Sequence, residues 1–194
     1  MFSEIVKNIN WVDILVICII LRIVHIGSQR GFVIELFKCV GVLCTIFITY
    51  HYYSFIAKFL ESNFSLFRAT AEVLSFGLLW GGGSLIFKLI RDGILLMFKI
   101  EAHAVVDKWG GLVIGFLRSV LIASVFLVFL QILDVEYVSK NVKKSFLNAY
   151  LFDISPKVYR TCYEEIVEKF FPSEKLNLSV FELKTVDLKD SSKN

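Results

Sequence analysis

The sequence is poor in charge and poor in helix breakers. Of its 194 residues only 20% are Asp, Glu, Lys or Arg, and there are two prolines, four cysteines and three histidines. With 56% hydrophobic residues, so little charge excludes disorder over most of the chain and the composition of a soluble α/β enzyme. Both prolines, Pro156 and Pro172, lie in the last quarter, so no apolar stretch is broken by proline. Cys18, Cys39 and Cys44 sit inside apolar stretches and Cys162 stands apart, with no CxxC or Cys/His spacing for a disulfide framework, a zinc site or a redox pair. His25, His51 and His103 are dispersed, and Gly81–Gly83 lacks the Lys-Ser/Thr that would complete a phosphate loop. A net charge of +3 without a dense basic stripe excludes nucleic acid as a partner. No enzyme activity, cofactor or metal is expected.

What remains is apolar length. Mean hydropathy is +0.68. Residues 1–133 hold 19 of the 39 charged residues, and residues 134–194 hold the other 20. The first part is too apolar for a soluble domain; the second has an ordinary soluble composition. The expected fold is all-α: a four-helix transmembrane bundle over residues 1–135, an amphipathic helical tail over 136–172, and disorder over 173–194. Spans are expected at about 11–26, 31–53, 70–87 and 109–133, each near the ~20 residues that cross a bilayer. The first span is read as retained, because Met1–Asn10 carries Glu4 beside Lys7 and no small-x-small site follows Ile26. Gly27–Gly31 is short enough to make spans one and two a tight antiparallel hairpin. Residues 54–69 and 88–108 are read as connections, with apolar Gly93–Phe98 forming a short interfacial helix.

Small and charged residues mark where the spans meet. Span three carries Gly77-x-x-x-Gly81, then Gly82 and Gly83, and span four carries Gly111-x-x-x-Gly115. Small residues four apart let helix backbones approach, so these seams are expected to face each other or a second subunit. Asp13, Arg22, Glu35, Lys38, Glu72 and Arg118 lie in or at the edges of the spans. Asp13 and Glu72 suit the membrane interface, and Glu35 and Lys38, three apart, can pair on one helix face. Asp107, Gly111, Gly115 and Arg118 fall within about 80° of one another on a helix. That stripe is expected to meet a carboxylate of a neighbouring helix, with Glu35 the better partner and Asp13 the weaker.

In the tail, Tyr137–Phe152 reads as one amphipathic helix with Lys140, Lys143 and Lys144 on its polar side, suited either to an anionic membrane surface or to packing on the loops. Ser155-Pro156 reads as the cap and first turn of another helix, ended by Pro172. Four spans place both termini on one side, and the basic residues, nearly equal on the two sides, do not say which.

The run Asp107-Lys108-x-x-Gly111-x-x-x-Gly115-x-x-Arg118, with Trp11-Val12-Asp13 opening the first span and Arg30-Gly31-Phe32 and Glu35 opening the second, resembles the bacterial colicin V production protein family. Ser145-Phe146 and Ser155-Pro156-x-x-Tyr159 are similar to tails of its relatives. Those relatives carry glycine after the arginine, where this chain has Ser119. The resemblance implies a multi-pass inner-membrane protein tied to toxin production, export or envelope homeostasis, with no agreed catalytic residues. It leaves two functional readings: a membrane scaffold or accessory protein, and a small oligomeric transporter or channel whose polar path is lined by Glu35, Lys38 and Arg118. The expected partners are the lipid bilayer and either further copies of the chain or other membrane proteins.

Overall fold

A computed structural model describes residues 10–64, 66–97, 104–170 and 176–181. Four long helices dominate: α1 (Trp11–Arg30), α2 (Phe32–Phe64), α3 (Arg68–Met97) and α4 (Ala104–Ile132). All four contain windows long and apolar enough to cross a membrane. Helical structure is forced here by hydrogen bonding, since lipid offers no partner for a free peptide group. Short helices come after them: α5 (Glu136–Lys144), α6 (Asn148–Leu151) and α7 (Ile154–Cys162), the last continuing through a π-turn at Tyr163–Val167 into α8 (Glu168–Phe170).

The helices outrun the spans expected from hydropathy. Residues 54–64 belong to α2, and α3 runs unbroken through Gly93 to Met97 in place of a separate interfacial helix. At ~1.5 Å per residue, α2 and α3 are roughly 45–50 Å long, well beyond a ~30 Å hydrocarbon core. Charged residues such as Lys58, Glu61, Arg91 and Asp92 end the apolar run without ending the helix.

The connections are tight and chemically specified. Asn10 caps α1 in a reciprocal box: its side chain accepts from the first turn, and its own N–H donates to Asp13 Oδ2 at 2.9 Å. Gly31 turns α1 into α2 at φ 85°, a left-handed value that favours glycine. Asp134, at φ 48°, turns α4 into α5.

The packing order differs from the chain order. Helix α1 packs along α4, α4 along α2, and α2 along α3, while α1 and α2 touch little beyond their turn. The expected hairpin therefore splays, and α4 sits in the opening. Glycines at the facing positions of α1 and α4 make that insertion sterically possible. Val12, Val16, Ile46, Tyr50, Phe76, Leu127 and Val128 form the buried core toward the tail end of the bundle. Leu21, Phe55, Leu78, Leu89 and Val113 point outward, as lipid-facing residues do.

The tail is more broken than its amphipathic pattern indicates. The helix expected over Tyr137–Phe152 ends at Lys144, because Ser145 turns away to bond Asp13. Helix α7 starts at Ile154, and Ser155 faces the bundle instead of capping. Residues 176–181, expected to be disordered, are seated on it: Val180 is buried and the Asn177 side-chain amide donates to the Tyr50 carbonyl at 2.7 Å. Pro172, residues 1–9 and residues 182–194 lie outside the described residues.

Candidate functional site

Helix α4 carries its polar stripe straight onto the α1–α2 turn. At the first position the N–H of Phe32 donates to Asp107 Oδ1 at 2.7 Å, placing a carboxylate at the N-terminus of α2, where the helix dipole favours it. The positive φ of Gly31 favours glycine, and a Cβ there would also press on the Asp107 carboxylate. One turn deeper, a Cβ on Gly111 would meet the Gly27 carbonyl at 2.7 Å. A Cβ on Gly27 would meet the Gly111 carbonyl at 2.9 Å and Gly115 Cα at 3.0 Å. Backbone meets backbone here, so neither side can yield.

This close approach brings Arg118 to Glu35. Arg118 Nη2 lies 2.9 Å from Glu35 Oε2, an ion pair rather than an aligned hydrogen bond. Glu35 is 0% exposed and pairs on its other oxygen with Lys38, one turn along α2. Arg118 is 8% exposed, and its Nε is buried without a hydrogen-bond partner. One carboxylate is therefore held between two cations from two helices. The cluster ties α4 to α2 beside the point where glycines tie α4 to α1.

Other residues singled out in the sequence lie elsewhere. Arg30 is exposed at the end of α1. Gly77, Gly81 and Gly82 have nothing within 4 Å of an added Cβ, whereas one on Gly83 would meet Thr45 Cγ2 at 3.0 Å. The two glycine seams thus do not face each other: the α4 seam is filled by Gly27 of α1, and most of the α3 seam is open.

Asp13, in the first turn of α1, does not approach Arg118 and pairs instead with the tail. It is 2% exposed at the opposite end of the bundle. The Ser145 hydroxyl donates to its Oδ1 at 2.5 Å, and the Leu147 N–H donates to the same oxygen at 3.0 Å. Beside it, the Asn10 side-chain amide donates to the Asn141 carbonyl at 2.9 Å and to Asn141 Oδ1 at 2.8 Å. A second latch lies across the same end. Ser155 Oγ shares hydrogen bonds of 2.7 Å with the Tyr50 hydroxyl and with Ser124 Oγ, and the Ser155 N–H donates to Ser124 Oγ at 2.8 Å. His51 and the Tyr159 hydroxyl are 3.1 Å apart. Burial raises the Tyr159 phenol above its ordinary pKa. Burial also pushes the Cys162 thiol up, and Cys44 adds to the effect.

Sequence reasoning misses Gly27 as a packing residue, because it stands where a loop is expected. It also misses the latch at Tyr50, Ser124 and Ser155. The Asn10-x-x-Asp13 capping pattern is there to be found; the cross-helix serines carry no periodic signal. Among the described residues no three His, Cys, Asp or Glu side chains come together as a metal site would require.

No curated protein and no solved structure shows a significant match to the chain. The sequence model described as "Colicin V production protein" matches residues 12–156, about three-quarters of the chain. The match runs from the first turn of α1, through the Glu35–Arg118 cluster, to the start of α7. With its four apolar helices, the chain belongs to the colicin V production protein family.

Proposed function

We propose that the protein is a non-enzymatic scaffold or accessory protein of the bacterial inner membrane, serving toxin production, export or envelope upkeep by holding its C-terminal helices at one face of the bilayer. The observation that carries this reading is the closure of the charge cluster. Glu35 is fully buried and paired with both Lys38 and Arg118, so this carboxylate ties α2 to α4. Removing one partner of a buried pair leaves an uncompensated charge, so the cluster resists separation of α2 and α4. The tail is docked with similar completeness through Asp13 and Ser155.

The test is Arg118→Leu, read by cellular protein level, size in mild detergent and toxin release. A scaffold is expected to lose level or assembly together with release. Retained level and size with the loss of a solute flux would overturn the reading in favour of a transporter. A reporter fused after Asn194 fixes the side of the membrane on which the tail is held.

A further inference from the structure

The end of the bundle away from the tail has a cavity beside the Glu35 cluster. It lies between α2, α3 and α4 and measures about 120 Å3. Four cations reach it: Lys38 from α2, Lys88 and Arg91 from α3, and Arg118 from α4, with Thr45 of α2 and Ser84 of α3 also in the lining. Two acids answer them. Glu35 pairs with Lys38 and Arg118, and Asp92 accepts from Arg91 at 2.6 and 2.9 Å. The cluster keeps an excess of two positive charges. Lys88 is exposed and makes no ion pair among the described residues. Arg118, also in the lining, has a buried Nε without a hydrogen-bond partner.

An unbalanced cationic pocket at the edge of a low-dielectric slab calls for an anion. Charges left unpaired there cost free energy, and planar guanidinium groups suit a tetrahedral oxyanion with several acceptors. Lys38, Lys88 and Arg91 sit two to three turns from the ends of α2 and α3, a depth from which long basic side chains reach the headgroup layer. The cavity has room for a phosphate-sized group.

We propose that Lys38, Lys88, Arg91 and Arg118 form a binding site for a phosphate group, supplied either by the headgroup of an anionic phospholipid or by free phosphate. The site lies away from the tail and shares Lys38 and Arg118 with the Glu35 cluster.

The test uses the full chain purified in a neutral detergent, with Lys88→Gln/Arg91→Gln as the principal variant. Lys88 is exposed and Arg91 pairs with Asp92, so neither change touches the Glu35 pairs. Melting is followed with added inorganic phosphate against chloride at matched ionic strength. Retention on vesicles of phosphatidylglycerol is compared with retention on phosphatidylcholine, and lipid carried through purification is weighed by native mass spectrometry. The expected result is stabilisation of the wild type by phosphate or selective retention of phosphatidylglycerol, weakened at least tenfold in the double variant. An effect of lipid alone assigns the phosphate to a headgroup, and an effect of inorganic phosphate alone assigns it to a soluble anion; either supports the site. Equal responses to phosphate and chloride, with equal retention on both vesicles, overturn it. So does an unchanged response in the double variant. If that variant melts early without ligand, the single charge reversal Lys88→Glu, at an exposed position, gives the same readout. Failure here leaves the Arg118→Leu test of the scaffold unaffected.

Discussion

Asp13 and Glu35 are buried carboxylates at opposite ends of one bundle, and they are neutralised in different ways. Glu35 is met by two cations from α2 and α4, inside the membrane-spanning part of the chain. Asp13 is met by neutral donors, a serine hydroxyl and backbone N–H groups, two of which belong to the tail. The first acid binds spanning helices to each other. The second binds the spanning helices to the tail. Charge neutralisation is used where water is scarce, and hydrogen bonding where the chain emerges.

The sharpest way to break this contrast is to remove one cation. Arg118→Leu is expected to cost about 3–5 kcal/mol, because it weakens the compensation of a buried charge, and Glu35→Leu added to it is expected to restore part of the loss. Thermal unfolding in detergent of the single and double variants measures both. Gly27→Ala comes next: its Cβ meets backbone at 2.9 and 3.0 Å, and overpacking of this kind costs about 1–3 kcal/mol. Gly77→Ala, with open space around it, is the matched control and is expected to stay within about 0.5 kcal/mol. At the tail end, Asp13→Asn replaces an acceptor that takes three donors and is expected to cost about 1–3 kcal/mol. Its signature is faster proteolysis around residues 141–151 with the spanning helices intact. Tyr50→Phe, which removes one hydroxyl from the Ser155 latch, is expected to cost about 0.5–1.5 kcal/mol. The smallest effect is chemical. Burial holds the Cys162 thiol above its ordinary pKa, so little thiolate is present near neutrality and maleimide labelling is slow. Labelling is expected to quicken in Asp13→Asn if the tail docks as one piece.

The existence of four spanning helices is legible in the sequence because apolar length is a local property. Their ends are not, since Lys58 or Arg91 stops a hydropathy window but not a helix that has passed into the headgroups. The face shared by Asp107, Gly111, Gly115 and Arg118 is legible from helical periodicity alone. Its docking on Gly27 and Gly31 is not, because a short loop says that two helices are consecutive without saying that they pack. The two glycine seams make the same point: the same four-residue spacing is filled in α4 and largely open in α3. Ser155 has the local pattern of a cap because Ser-Pro is a common helix start, but two hydroxyl partners distant in sequence divert it.

The position of α4 between α1 and α2 also has a consequence in time. The chain is made from its N-terminus, so Glu35 is added 83 residues before Arg118. Throughout that interval the groove that α4 will occupy stands open, and the carboxylate lacks its partner from across the bundle. Lys38, one turn away on the same helix, is already in place. The two partners of Glu35 thus come from different moments of synthesis, the local one first and the one from the last span after it.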